Sequence, residues 1–223
     1  MSKINLIEKA KELFKKYDAI RPPTEYTYDW LCKNMIRYSK DINAKKLEGF
    51  NQEHFEIIVW MHNLGRYVEK DDDAQGVKHA KLGVDVFDKE FVKTGLITDE
   101  KVIKKIKTCI LYHSIKVYKI LKKPNLIKGY EKFWPEILYP ELQILRESNY
   151  AGYFYNYYLT KETVKNKIKL FNNLIPKPSK KAKILAKNLI KKYYSFRNKA
   201  ETLAQIEKIT IPEAIKKLLK SEK

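Results

Sequence analysis

Along most of this chain apolar residues recur every three or four positions, the spacing of one face of a helix. In residues 3–17, Leu6, Ala10, Leu13, Phe14 and Tyr17 fall on one side and charged residues on the other. The same period predicts helices from Trp30 to Ile42, Gln52 to Val68, 76–92, 99–121, Glu141 to Tyr158 and Lys161 to Leu174. Between them lie breaker-rich stretches: RPPTEYTYD, EKDDDAQG, TGLITDE and KKPNLIKGYEKFWPEILYP. A capping pattern at Thr98 is incomplete, because position 101 is Lys rather than Glu or Gln. The hairpin pairs Asn-Gly and Asp-Gly are absent, and no internal repeat or sustained strand-period alternation is present. The expected fold class is all-α.

The stretch IPKPSKK interrupts the pattern. It sets an expected boundary between a helical domain at 1–175 and a Lys-rich helical extension at 176–223. The extension holds 14 Lys/Arg against four Glu, so it carries +10 of the chain's net +19. In its first helix Ala182, Leu185, Ala186, Leu189, Tyr193 and Phe196 share one face. Lys180, Lys183, Lys187 and Lys191 lie opposite, as a solvated face or as candidate contacts to nucleic-acid phosphates.

The overall charge comes from 46 basic and 27 acidic residues, and it favours a polyanionic partner: nucleic acid, phospholipid or nucleotide. Only five of the basic residues are Arg; the rest are Lys, in a chain also rich in Ile, Asn and Tyr. Such a bias raises charge without any binding purpose.

Length and apolar content suffice for a proper core. Cys32 and Cys109 stand 77 positions apart with no CxxC pair, which predicts reduced thiols and a cytoplasmic setting. The N-terminus lacks a signal-peptide apolar region, and the longest apolar run, IIVWM, is too short to span a bilayer. No pattern specifies an oligomeric state.

Four histidines occur: His54, His62, His79 and His113. The last three, spaced by 17 and 34 residues, fall in predicted helices or at their ends. Bundles build metal sites by converging such side chains.

One long stretch sharpens this. IIVWMHNLGRYVEKDDDAQGVKHAKLGVDVF resembles the central signature of the HD-domain phosphohydrolases. In that superfamily an apolar helix ends in His-Asp, followed by Ile/Leu-Gly-Lys/Arg; here the elements are His62-Asn63 and Leu64-Gly65-Arg66. A following His-Ala-x-x-Gly-Val helix is matched by His79 to Val84. CILYHSIK resembles the next family helix and supplies His113, and LQILRESNYAGYF resembles the closing Arg-Asp-Ala-Asp motif, with Asn149 at the metal-binding Asp. Upstream, YTYDWLCKNMIRYS resembles the first-histidine helix, with Cys32 in place of the His. The resemblance covers about residues 25–160 and implies an HD-like helical bundle.

It also implies a site that has changed. Of the four core ligands, His-His-Asp-Asp, only His62 matches; the others are Cys32, Asn63 and Asn149. His79 and His113 stand where some members hold a second metal. Family members use a divalent cation to polarise a phosphate and activate water. Hard cations such as Mg²⁺ and Mn²⁺ want anionic oxygen, whereas Asn keeps one acceptor and no charge.

The expectation is therefore a protein in which hydrolysis is lost or strongly impaired while a phosphate- or nucleotide-type pocket remains. Arg66 is the residue the resemblance places at the phosphate. One alternative is an active phosphohydrolase with an altered Cys/His/Asn site holding Mn, Mg or, through Cys32 and the histidines, Zn. Another is a module that binds nucleic acid or protein through the basic helices. If the site is silent, no cofactor is expected.

Overall fold

A computed structural model of the chain describes residues 5–19, 29–65, 78–113, 139–174 and 177–221. Every regular element among them is helical. The chain forms two compact units, Met1–Ser148 and Asn149–Lys223. The segment 176–223 thus belongs to a larger C-terminal unit.

The first unit contains α1 (Leu6–Asp18), α2 (Asp29–Asp41), α3 (Gln52–Met61), α4 (Lys78–Phe87), α5 (Glu100–Tyr112) and most of α6 (Pro140–Ala151). α3 is its centre. Phe55, Ile57, Ile58, Val59, Trp60 and Met61 are all buried, and a helix apolar on every side must be enclosed. α1, α2 and α5 pack on it. Phe14 of α1 meets Trp60 edge-on, with ring centroids 5.3 Å apart. Each such side chain contributes about 1.5–3 kcal/mol by leaving water.

The termini of these helices depart from the periodic reading for local reasons. α5 is capped by Asp99, not Thr98: its carboxylate accepts the N–H groups of Lys101 and Val102 at 2.8 and 3.2 Å. The helix predicted over 76–92 leaves α geometry after Phe87 and finishes in a π turn, Asp88–Val92. The helix predicted to run to Tyr158 ends at Ala151. A 3₁₀ turn, Gly152–Tyr155, follows, and the Asn156 side chain then accepts the Tyr158 N–H at 3.0 Å.

The second unit contains α7 (Lys161–Asn172), α8 (Lys180–Glu207) and α9 (Ile211–Ser221). α8 ends where Lys208 adopts a left-handed conformation, φ 54°, and its N–H reaches the Ala204 carbonyl. Thr210 and Glu213 then form a reciprocal capping box that starts α9. Phe196, Ala200 and Ala204 pack with Ala214 and Ile215 in a small apolar core. Tyr157 stacks on Phe196 at 4.2 Å, and the buried Tyr193 hydroxyl donates to the Leu159 carbonyl at 2.7 Å.

Candidate functional site

The first unit brings three helix ends together around imidazoles. A helix leaves its last carbonyls without intrahelical partners. α3 ends at Met61, so the Val59 carbonyl is one of these. His62, the next residue, turns its ring back so that Nδ1 donates to that carbonyl at 2.7 Å. α5 ends in the same way: His113 follows Tyr112, and its Nδ1 lies 2.6 Å from the Ile110 carbonyl. A carbonyl can only accept, so both rings carry their proton on Nδ1 when neutral. Their Nε2 atoms then present lone pairs.

His79, in the first turn of α4, completes the group. Its Nε2 lies 3.3 Å from Nε2 of His113. With His113 Nε2 an acceptor, His79 Nε2 is the donor. The His113 ring sits between the other two, 4.9 Å from His62 and 5.2 Å from His79, edge-on to both. All three are buried, His62 and His79 completely.

Two glycines permit this convergence. A Cβ on Gly65 would stand 1.7 Å from the His79 carbonyl oxygen, so the backbone after His62 touches the backbone at His79. A Cβ on Gly83 would stand 3.1 Å from Ile110 and 3.6 Å from the Met61 carbonyl. At Gly65 the two backbones come nearer than any side chain would allow, whereas at Gly83 a Cβ would crowd only the Ile110 side chain.

Cys32, on α2, reaches the same place from behind. Its Sγ donates to the Val59 carbonyl at 3.5 Å, so it shares that oxygen with His62. Burial drives the thiol pKa far above its usual range, and Asp29 and Asp18 add to this. With no metal present the sulfur is a protonated donor. Asn63, beside His62, is buried at 6% exposure and is neutral.

The structure thus gathers His62, His79 and His113, with Cys32 and Asn63 adjoining them. Asn149 lies half-buried near the end of α6, as the first residue of the second unit. Arg66 lies outside the described residues. Lys180, Lys183, Lys187 and Lys191 are all exposed on α8.

The residues present do not fit the hard cation that the resemblance implies. Asn63 and Asn149 are uncharged amides, and Cys32 offers soft sulfur where a hard cation takes anionic oxygen. Among the described residues no three His, Cys, Asp or Glu side chains are arranged to hold a metal ion.

A second buried polar group was not legible in the sequence. Glu141, fully buried at the start of α6, accepts from Lys105 Nζ and from the Asn51 N–H, both at 2.9 Å. Asn51 in turn caps α3, its side chain accepting the His54 N–H at 2.9 Å. Glu141 therefore fixes the start of the helix whose end carries His62. Compared with family models, curated proteins and solved structures, the chain shows no match in any of the three.

Proposed function

We propose that the chain is a helical protein of the HD phosphohydrolase type whose metal centre has become a neutral imidazole–amide pocket. Hydrolysis is lost or strongly impaired, and the pocket takes a phosphate-bearing ligand such as a nucleotide. The observation supporting this reading is the convergence of His62, His79 and His113 from three helices, with the buried amide Asn63 next in sequence to His62. In a two-carboxylate site a cation must offset the negative charge before a phosphate can approach. Replacing both carboxylates by amides removes the cation's main ligands and the repulsion together. The imidazoles of His62 and His113 present Nε2 lone pairs, so one of them donates to a phosphate oxygen only after taking up a proton there, which the anion favours; an amide NH₂ donates as it stands.

The test is calorimetry with a panel of nucleoside mono-, di- and triphosphates in the presence of a chelator, paired with a phosphate-release assay in Mn²⁺. The expected result is metal-independent binding without turnover, lost in His113→Ala. Turnover in Mn²⁺ that the chelator abolishes would establish the altered but active site instead.

A further inference from the structure

The C-terminal unit carries a surface that the pocket does not account for. Its 75 residues hold 18 Lys/Arg against five Glu and no Asp, a net +13; the 148 residues of the first unit hold 28 basic and 22 acidic residues, a net +6. A general enrichment in lysine explains the first unit, where acids accompany the bases. It does not explain the second, which has lost its acids. Between Glu162 and Glu201 there is no acidic residue at all, and twelve basic ones.

Three of the five acids are engaged. Glu201 takes Lys161 at 2.6 Å and Arg197 at 3.4 Å, Glu207 pairs with Lys217, and Glu213 caps α9 through Thr210. Lys180, Lys183, Lys187 and Lys191 project from one exposed face of α8, flanked by Lys181 and Lys192, with no carboxylate partner among the described residues. Lys180 and Lys181 also stand in the first turn, which has no acid. There the helix dipole disfavours cations and favours an anion.

We infer that this face of α8 binds the phosphate backbone of duplex nucleic acid without reading its sequence. From Lys180 to Lys191 the helix rises about 16 Å, matching roughly five phosphates on one strand of a duplex. The contacts are lysines, which act as point charges and not as bidentate readers of bases. A membrane fits the face less well. The apolar side of α8, with Ala182, Ala186, Tyr193, Phe196, Ala200 and Ala204, is already buried, and the large apolar side chains left exposed on the helix, Ile184 and Ile206, stand 22 positions apart and form no continuous inserting face.

The test uses the full chain and fluorescence anisotropy with a 20-base-pair duplex of arbitrary sequence. Four phosphate contacts give a slope of log affinity against log salt near −3.6, so affinity falls roughly 100-fold between 50 and 200 mM salt. Replacing Lys180, Lys183, Lys187 and Lys191 by Gln should flatten that slope and remove binding, with circular dichroism unchanged. Replacing all four by Arg should preserve it. A control removes the same charge from exposed lysines of the first unit, Lys40, Lys45, Lys46 and Lys93, and should leave most of the affinity. The proposal is overturned if the duplex does not bind at 50 mM salt, if the control weakens binding as much as the α8 variant, or if phosphatidylserine vesicles bind through these lysines more tightly than the duplex.

Discussion

Two buried polar groups in the first unit handle burial in opposite ways. At Glu141 a charge is kept and matched: a carboxylate with no exposure meets an ammonium and a backbone N–H. Around His113 the partners named above are neutral: His79 and His113 meet through their Nε2 atoms, and His62, His113 and the Cys32 thiol meet two backbone carbonyls. Burying an ion requires a complete set of partners, and a half-satisfied ion is worse than none. The Glu141 group meets that requirement at Oε1, which takes both bonds, while Oε2 is buried without a hydrogen-bond partner among the described residues. A phosphohydrolase centre needs its carboxylates buried and a cation to complete them. Under the descent proposed above, a neutral network stands in place of carboxylates and cation.

The comparison can be broken at either group. The largest effect is expected at Gly65. Gly65→Ala puts a methyl group 1.7 Å from the His79 carbonyl, which no side-chain rotation relieves. Overpacking of this kind costs about 3 kcal/mol or more, read as a lower urea midpoint with the slope retained. Next is Glu141→Ala, which strands Lys105 and the Asn51 N–H. The expected loss is about 3 kcal/mol, with Glu141→Gln losing less because it still accepts from Asn51. If Glu141→Ala proves neutral in urea unfolding, the buried pair does not hold α3 and α6 together.

A smaller effect marks the second unit. Tyr193→Phe removes the hydrogen bond to the Leu159 carbonyl and should lower stability by about 1 kcal/mol. Burial also pushes the Tyr193 pKa up to about 12, from 10.0 in the unfolded chain. The folded state therefore holds this proton more tightly. That contribution is complete below pH 10 and is lost as pH rises towards 12, and Tyr193→Phe should remove this part of the alkaline loss of stability. Smallest in energy is the behaviour of the thiols. Burial raises the pKa of both Cys32 and Cys109. Neither should react with iodoacetamide at pH 8 until the protein unfolds, as mass spectrometry would show.

The all-helical class was legible because the apolar period is a local property of the chain, and α1, α3 and α7 begin close to where it places them. Helix ends were less legible, since they are decided by single side chains. Asp99 rather than Thr98 faces the free N–H groups of α5, and Lys208 takes up a left-handed turn that nothing in its residue type announces. Of the site, the histidine spacing and the HD-like order suggested His62, His79 and His113 as one group, and their rings do meet. The shared Val59 carbonyl, the backbone contact at Gly65 and the Glu141 staple are long-range facts. Residues 14 to 90 positions apart make them, beyond the reach of helical periodicity.

The central claim is that the pocket has no use for a hard divalent cation. Titration of the chelator-treated wild type with Mn²⁺ by calorimetry tests this most directly, run beside a variant carrying Cys32→His, Asn63→Asp and Asn149→Asp, the three ligands the resemblance to HD phosphohydrolases implies. The account predicts no saturable binding in the wild type and stoichiometric binding in the triple variant, because anionic oxygen is the ligand a hard cation needs and the variant adds it. Stoichiometric Mn²⁺ binding by the wild type, removed by Asn63→Ala, would contradict it.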